Sequence, residues 1–331
     1  MPITTKKKRL AVIFGGQSGE HEVSLKSANQ IMLALDKNKY KIIPIAITKS
    51  GHWLVGTEGR EYLKANLKKS EVQGGVKKEV IAKNRNKFPK EFPPIDLVLP
   101  IMHGPLGEDG RLQGALEMLN LPYVFSGVLA SALAMNKKKT KIIARTIGIK
   151  TAKDLSIFKN EKYDVKKIIA ELGFPVVIKP VELGSSVGTS LAKSGKELLS
   201  GIDEALEYGD EVLLEQFIKG RELTVAVMEN KTFNALPVIE IIPKISGWFD
   251  YRAKYEKGGS QEICPAKIPE KIRQKIQLQA VEIFKAIGCL DLARADFIWS
   301  ELDEELYFLE INTIPGMTAT SLTPQPLGSL G

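Results

Sequence analysis

Hydrophobic and polar positions along the chain alternate between two periods, and the changes of period mark its elements. Leu10–Phe14, Lys41–Ile47 and Asp96–Pro100 are apolar almost throughout, as strands buried on both faces of a parallel sheet are. The first of them runs through Gly15-Gly16-Gln17-Ser18-Gly19-Glu20 into an amphipathic stretch, Ser24–Leu35, which predicts strand, glycine loop and helix. Another helix opens at Gly107-Glu108-Asp109-Gly110-Arg111 and continues through Leu119. Helix signals also cover Gly127–Ala134, Lys137–Thr146, Asp164–Leu172 with Gly173 at its end, and Pro269–Ile287 with Gly288 beyond it. Strands are predicted at Phe174–Pro180, from Thr189, at Val212–Phe217 and at Leu223–Met228. Leu292–Trp299 and Leu306–Asn312 form a hairpin about the acidic turn 300–305. Two stretches lack a period. Residues 56–94, rich in Lys, Asn and Pro, read as a surface insertion of short strands or loop. Residues 243–264 read as a loop carrying Lys254 and Tyr255, and long loops in compact domains are functional or disordered.

At 331 residues the chain exceeds one ordinary core and divides into two or three domains. An apolar fraction of 44% with 17 prolines describes a folded chain. The net charge of +8 comes from tracts such as Lys6–Lys8 and Lys137–Lys139 and favours anionic partners. Nucleotide phosphates satisfy that as well as nucleic acid would, and without RNP, helix-turn-helix or zinc-finger patterns no nucleic-acid partner is expected. Cys264 and Cys289 are too few for a disulfide framework and lack metal-ligand spacing, which points to a reducing, cytoplasmic compartment. The run Leu10–Phe14 ends in glycines and is a strand, not a signal segment. No stretch approaches the roughly 20 apolar residues that span a bilayer, so no membrane partner is expected either.

The hairpin carries the densest chemistry. Period two puts Arg294 and Asp296 on one face of its first strand, and Glu310 and Asn312 on one face of its second. If the two faces coincide, three oxygen-bearing side chains meet a guanidinium. Magnesium takes hard oxygen ligands and shares its shell with phosphates, so two carboxylates and an amide suffice from the protein. Arg294 and the N–H groups of the turn near Gly316 could hold a developing oxyanion. The bland alternative is a solvent-facing hairpin whose charges do nothing.

Other candidates are more dispersed. Glu20 is available to pair with an ammonium group, or else only complements the dipole of the helix that follows. The glycines before it are not spaced G-x-G-x-x-G, which argues against a dinucleotide site. His103 sits at the carboxyl end of a strand, where ligands of open α/β sheets collect, although a lone histidine is more often structural. Lys179 ends a strand and precedes Gly184-Ser185-Ser186-Val187-Gly188, small residues whose amides can approach phosphate closely without forming a Walker A loop. The segment Glu215-Gln216-Phe217-Ile218 could present a backbone acceptor and donor to an adenine edge, with the acid Glu222 nearby for ribose hydroxyls.

Taken together, GGQSGEHEVSL, HGPLGEDGRLQGALEMLNLPY, VVIKPVELGSSVG, FDYRAKY, ARADF and FLEINTIPGMTATSL, spread over about residues 10–324, resemble the D-alanine:D-alanine ligase family of the ATP-grasp superfamily. The resemblance implies a three-domain α/β fold, α+β in its ATP-binding part. An N-terminal parallel-sheet substrate domain would span 1–125, a central lid domain 126–214 and a C-terminal catalytic domain 215–331, with ATP between two antiparallel sheets. It implies that Lys137 and Lys179 hold the nucleotide phosphates, that Gly184–Gly188 closes over them, and that Glu215, Gln216, Phe217, Ile218 and Glu222 contact adenine and ribose. Asp296, Glu310 and Asn312 would bind two Mg²⁺ ions, for which Mn²⁺ could substitute. Glu20 would hold the ammonium of a first D-alanine with His103 close by, while Lys254, Ser321 and Leu322 would serve the carboxylate end of a second.

The implied reaction begins with attack of the first D-alanine carboxylate on the γ-phosphorus of ATP, giving D-alanyl phosphate and ADP. The amine of the second D-alanine then attacks the acyl carbon, with Arg294 and the Gly316 N–H on the oxyanion and Tyr255 and Ser185 latching a loop that excludes water. The tyrosine of AKY favours a dipeptide over the D-alanyl-D-lactate of resistance-type relatives. A homodimer is also implied. Family members continue beyond Ser321-Leu322 with a C-terminal helix that residues 323–331 do not fit, so uncovered apolar surface is expected there, and a truncated nucleotide-binding protein without turnover is the reading from another class.

Overall fold

The computed structural model describes residues 6–70, 88–89, 91–244 and 258–317, which build three sheets. Strands β1 (Lys8–Gly15), β2 (Tyr40–Ile47), β3 (Trp53–Val55) and β4 (Leu97–Ile101) form the first, in the order β3-β2-β1-β4. It is parallel except at β3, which is antiparallel to β2. Helices α1 (His21–Ala34), α2 (Thr57–Ser70) and α3 (Arg111–Met118) belong to this part of the chain. Strand β1 is buried from Leu10 to Gly15, which is why its sequence shows no polar alternation.

Helix α2 corrects the reading of residues 56–94 as strands or loop. Leu63 is buried and Tyr62 and Leu67 pack beside it, a helical spacing diluted by the polar residues around it.

The second sheet is antiparallel throughout. Helices α4 (Val128–Met135) and α5 (Lys137–Thr146) lead into β5 (Asp154–Phe158), α6 (Val165–Leu172), β6 (Val176–Pro180), β7 (Ser190–Ala192), α7 (Gly195–Ala205) and β8 (Glu211–Gln216), with strand order β5-β8-β6-β7. Helix starts here are written in side chains: Asn136 accepts from Lys139 N, Asp164 from Lys166 N and Ser194 from Glu197 N. Strand β8 runs past residues 214 and 215, so the expected division between second and third domains falls inside a strand.

The third sheet comprises β9 (Arg221–Asn230), β10 (Thr232–Ala235), β11 (Ile239–Pro243), β12 (Ser260–Ile263), β13 (Leu292–Ser300) and β14 (Glu305–Asn312), backed by α8 (Glu270–Ile287). Its main path is β12-β11-β9-β13-β14, again antiparallel, with β10 paired to β9. Strand β12 lies within the stretch read as loop; it is ordered by pairing with β11, a long-range partner that local periodicity cannot reveal. Helix α8 buries Ile272, Ile276, Ala280, Ile283, Phe284 and Ile287, one stripe at helical spacing, against this sheet.

The cores decide what holds the site together. Val12, Phe14 and Leu25 of the first part pack in one cluster with Ala226, Leu236, Leu292 and Ile314 of the third. The second sheet has its own core of Ile157, Ile168, Val176, Ile178, Leu198 and Leu214, among others.

Candidate active site

A cleft of about 470 Å³ is lined by residues of the second and third sheets. Lys137, at the first turn of α5, and Lys179, at the end of β6, supply cations from one wall; Asp296 and Glu310 supply carboxylates from the other. Ala152, Val177, Phe217, Ile218, Ile298 and Leu309 give the cleft an apolar section that suits a flat base.

Beneath the cation wall lies a buried charge cluster. The two oxygens of Glu215 take the ammonium groups of Lys141 and Lys179, and Lys141 reaches Asp154 Oδ2 at 2.8 Å. Burial works to raise the Glu215 pKa, but Lys179 and Lys141 pull it down to about 2. Burial likewise opposes the charge of Lys179, yet Glu215, with Glu310 and Asp154, holds its pKa above the ordinary value. Lys137 Nζ donates to Leu183 O and stands 3.8 Å from Glu310 Oε2.

On the acidic wall the hairpin brings its two faces together. Arg294 is in register with Asn312, and Asp296 with Glu310. Arg294 grips Asp296 through Nε to Oδ1 at 2.9 Å and Nη2 to Oδ2 at 2.8 Å, Asn312 Nδ2 donates to Oδ2 at 3.2 Å, and Thr224 Oγ donates to Oδ1 at 2.5 Å. Burial opposes the Arg294 charge, but Asp296, Glu310 and Glu108 outweigh it and raise its pKa. Two carboxylates and an amide form an all-oxygen donor set, which fits magnesium shared with phosphates.

Glu20 sits where the first part of the chain meets the second. Ser185 Oγ donates to Glu20 Oε1, and a Cβ on Gly184 would stand 2.6 Å from Oε2, so the loop between β6 and β7 rests directly on this carboxylate. Ser185 and Ser186 both hold left-handed backbone, at φ 54° and 57°, strain of the kind that gathers at functional loops. Nearby, His103 is buried, with Nδ1 3.1 Å from Ile314 O and Nε2 3.3 Å from Ser27 Oγ; Met317 N donates to the same hydroxyl at 3.3 Å. The turn containing Gly316 is thereby held by His103 on one side and by Ser27 of α1 on the other.

Of the residues proposed from sequence for the nucleotide, Lys137, Lys179, Gly184, Ser185, Ser186, Glu215, Gln216, Phe217, Ile218 and Glu222 line the cleft. Val187 and Gly188 do not; of the three residues proposed for the metal, Asp296 and Glu310 line it and Asn312 does not. Gly188 instead turns the loop at φ 67°, where a Cβ would come within 2.9 Å of Pro180 and Tyr208. Asn312 reaches the site through Asp296. Lys254, Tyr255, Ser321 and Leu322 lie outside the described residues. Sequence reasoning missed Lys141, Asp154 and Thr224. Lys141 stands one turn beyond Lys137 on the buried face of α5, and Thr224 is in register with Asp296. The first of these signals was readable as helical spacing, the second only as strand pairing.

Two antiparallel sheets facing each other across a cleft with cations on one wall and carboxylates on the other define the ATP-grasp class of enzyme. Family models described as the N-terminus and the C-terminus of D-ala D-ala ligase match residues 9–126 and 143–331. The chain belongs to the D-alanine:D-alanine ligase family. A D-alanine–D-alanine ligase of Natranaerobius thermophilus is 40% identical over 331 aligned residues, covering 97% of this chain and 90% of that protein. Among solved structures, a D-Ala:D-Ser ligase from Enterococcus faecalis is similar with a TM-score of 0.81 and 36% identity, over 98% of this chain and 96% of its own. The D-alanine–D-alanine ligase of Bacillus anthracis, in complex with ATP, is similar with a TM-score of 0.74 and 29% identity, over 98% and 92%.

Proposed function

We propose that the protein joins two D-alanine molecules into D-alanyl-D-alanine at the expense of ATP, supplying a peptidoglycan precursor. The observation that carries this reading is the contact between Ser185, which lines the nucleotide cleft, and Glu20, at the loop leaving β1. It joins a phosphate-binding loop to a carboxylate suited to an amino group.

In this reading Lys137 and Lys179 bind the phosphates of ATP, and the apolar section of the cleft takes adenine. Gln216, Phe217 and Ile218 border the base, and Glu222 meets the ribose. Glu20 fixes the ammonium of the first D-alanine and so aims its carboxylate at the γ-phosphorus. Carboxylate oxygen bonds to phosphorus as the bond to the β-phosphate oxygen breaks, which gives D-alanyl phosphate and ADP. The neutral amine of the second D-alanine attacks the acyl carbon, the bond from that carbon to the phosphate oxygen breaks, and phosphate leaves as the nitrogen gives up one proton. Arg294 and the Gly316 N–H hold the oxyanion in that step. Asp296, Glu310 and Asn312 would hold magnesium, which supplies charge neutralisation between the phosphates and an attacking anion. Lys254, Tyr255, Ser321 and Leu322 are assigned to the second subsite and the closing loop on resemblance alone.

The proposal includes a lid domain ending with β8 instead of at residue 214, a homodimer, and a cytoplasmic location, which two free cysteines suit. The test is an ADP-release assay across D- and L-amino acids, with D-serine and D-lactate as second substrates at neutral and lower pH. D-alanine-dependent ADP release with D-alanyl-D-alanine as product supports the proposal. Nucleotide binding without such release contradicts it, and preference for D-lactate or D-serine would move the chain to a sister activity.

A further inference from the structure

Lys141 is almost wholly removed from solvent, its side chain 1% exposed, yet it does not line the cleft. Helix α5 places it one turn below Lys137, which does. From there Lys141 pairs with Glu215 on one side and Asp154 on the other, and Asp154 is paired again with Arg145. Arg145 is anchored in turn by Nε donating to Thr151 Oγ at 2.7 Å.

Lys179, Lys141 and Arg145 stand against Glu215 and Asp154, three positive charges against two negative. Remove Lys141 and the count is even. Glu215 would then be compensated by Lys179 alone, and a closely paired ammonium and carboxylate project little field at a phosphate a few ångströms away. The Glu215 carboxylate is itself a lining group of the cleft and would repel the same phosphate.

We infer that Lys141 is a positioning residue for the nucleotide: it supplies the counter-charge of Glu215 from beneath the cleft, leaving the charge of Lys179 available to the phosphates. The inference rests on the proposed role of Lys179 in binding ATP. It assigns a function to a lysine that never touches substrate, and it separates that function from simple structural support. If Lys141 only braced the fold, its loss would act whether or not Glu215 was charged. If it balances Glu215, neutralising Glu215 removes the need for it.

A double-mutant cycle on the full chain decides between these, reading ATP affinity by calorimetry without D-alanine and KM for ATP and for D-alanine in turnover. Lys141→Met is expected to weaken ATP binding by about tenfold or more while KM for D-alanine changes much less. In a Glu215→Gln background the same substitution is expected to change ATP affinity by less than about twofold. Lys141→Arg, which keeps the charge, should retain most of the affinity. Equal loss in both backgrounds, or no loss in the first, overturns the inference. Should Lys141→Met alone fail to fold, the Lys141→Met/Glu215→Gln protein is compared with Glu215→Gln: matching ATP affinity supports the inference and weaker binding overturns it. Lys179→Met serves as the separate control, because unchanged ATP binding there would remove the proposed role of Lys179 itself.

Discussion

Asp296 on β13 faces Glu310 on β14 in direct register, and the pairing of the two strands slips immediately after Asp296. The irregularity falls at the one point of the hairpin where two like charges are brought together, and bulges are a common means of re-aiming a side chain beside an active site. Repulsion between the two carboxylates is tolerated because Arg294, Asn312 and Thr224 all donate to Asp296.

That arrangement predicts separable effects on turnover and stability. Asp296→Asn keeps the size but loses the charge and one of the two acceptor oxygens, so D-alanine-dependent ADP release should fall by about 10²-fold or more, with a loss of stability smaller than that of Asp296→Ala because one acceptor oxygen remains. A chelator should suppress turnover of the unaltered protein and excess magnesium should restore it. Asp296→Ala leaves Arg294 buried without its bidentate partner and should cost about 3 kcal/mol in urea denaturation. Full activity in Asp296→Asn would remove Asp296 from the site.

The hairpin was the most legible part of the sequence, because period-two alternation fixes which residues share a face and the acidic turn fixes which strands pair. Lys179 and the loop after it were legible as residue types without a destination. What placed them opposite Asp296 and Glu310 was the packing of two sheets distant in sequence, which no local pattern encodes. Helix α2 and strand β12 were lost for opposite reasons: the first has too narrow an apolar stripe, and the second is ordered by a partner across the sheet. Lys141 read as one more member of a basic tract, since its burial depends on Glu215 and Asp154 arriving from β8 and β5.

Gly15 is required by geometry. It holds φ 92°, and a Cβ there would run into the carbonyl oxygen of Ile47, a backbone atom of the neighbouring strand that cannot swing aside. Gly15→Ala should destabilise the protein by more than about 1 kcal/mol in urea denaturation. Gly19, four residues on, has nothing within 4 Å of its Cβ position and no positive φ, so Gly19→Ala should leave the denaturation midpoint nearly unchanged. Equal responses from the two would show that the glycine loop is not fixed as described.

His103 gives the protein a pH signature. Burial lowers its pKa, but Glu108 and Glu20 more than compensate, and the net value is raised. A pKa raised on folding contributes stability that is fully present below the unfolded value, about 6.5, and is lost as pH rises through the folded value. The stability difference between the unaltered protein and His103→Gln should therefore be largest near about pH 5.5 and shrink toward about pH 9. Urea midpoints measured across that range check it, and a difference that grows with pH would contradict the assignment.

The two cysteines should differ in reactivity. Burial pushes the Cys289 thiol up to about 12, so almost none of it is thiolate at neutral pH, and its side chain is enclosed. Cys264 is also raised by burial but remains partly exposed. A thiol reagent applied to the native protein, followed by peptide mass mapping, should label Cys264 first and reach Cys289 only on unfolding.

Glu20 offers the sharpest separation of the two proposed subsites. Its carboxylate is held by Ser185 from the loop after β6 and is closely approached by Gly104 from the turn after β4, yet it is not among the residues lining the cleft between the second and third sheets. A group that binds the amino end of the first substrate should matter for D-alanine and hardly at all for ATP. Glu20→Gln keeps the size and removes the charge, so KM for D-alanine should rise by about tenfold or more while KM for ATP stays within about twofold. Gly104→Ala tests the same carboxylate from the other side. A Cβ at φ 73° would press on Glu20 Oε2, and because that atom ends a flexible chain the carboxylate should move aside, raising KM for D-alanine in the same direction. Steady-state kinetics with each substrate varied in turn reads both. If the two KM values rise together, Glu20 acts through the loop after β6 that it touches instead of through the amino acid, and the first subsite lies elsewhere.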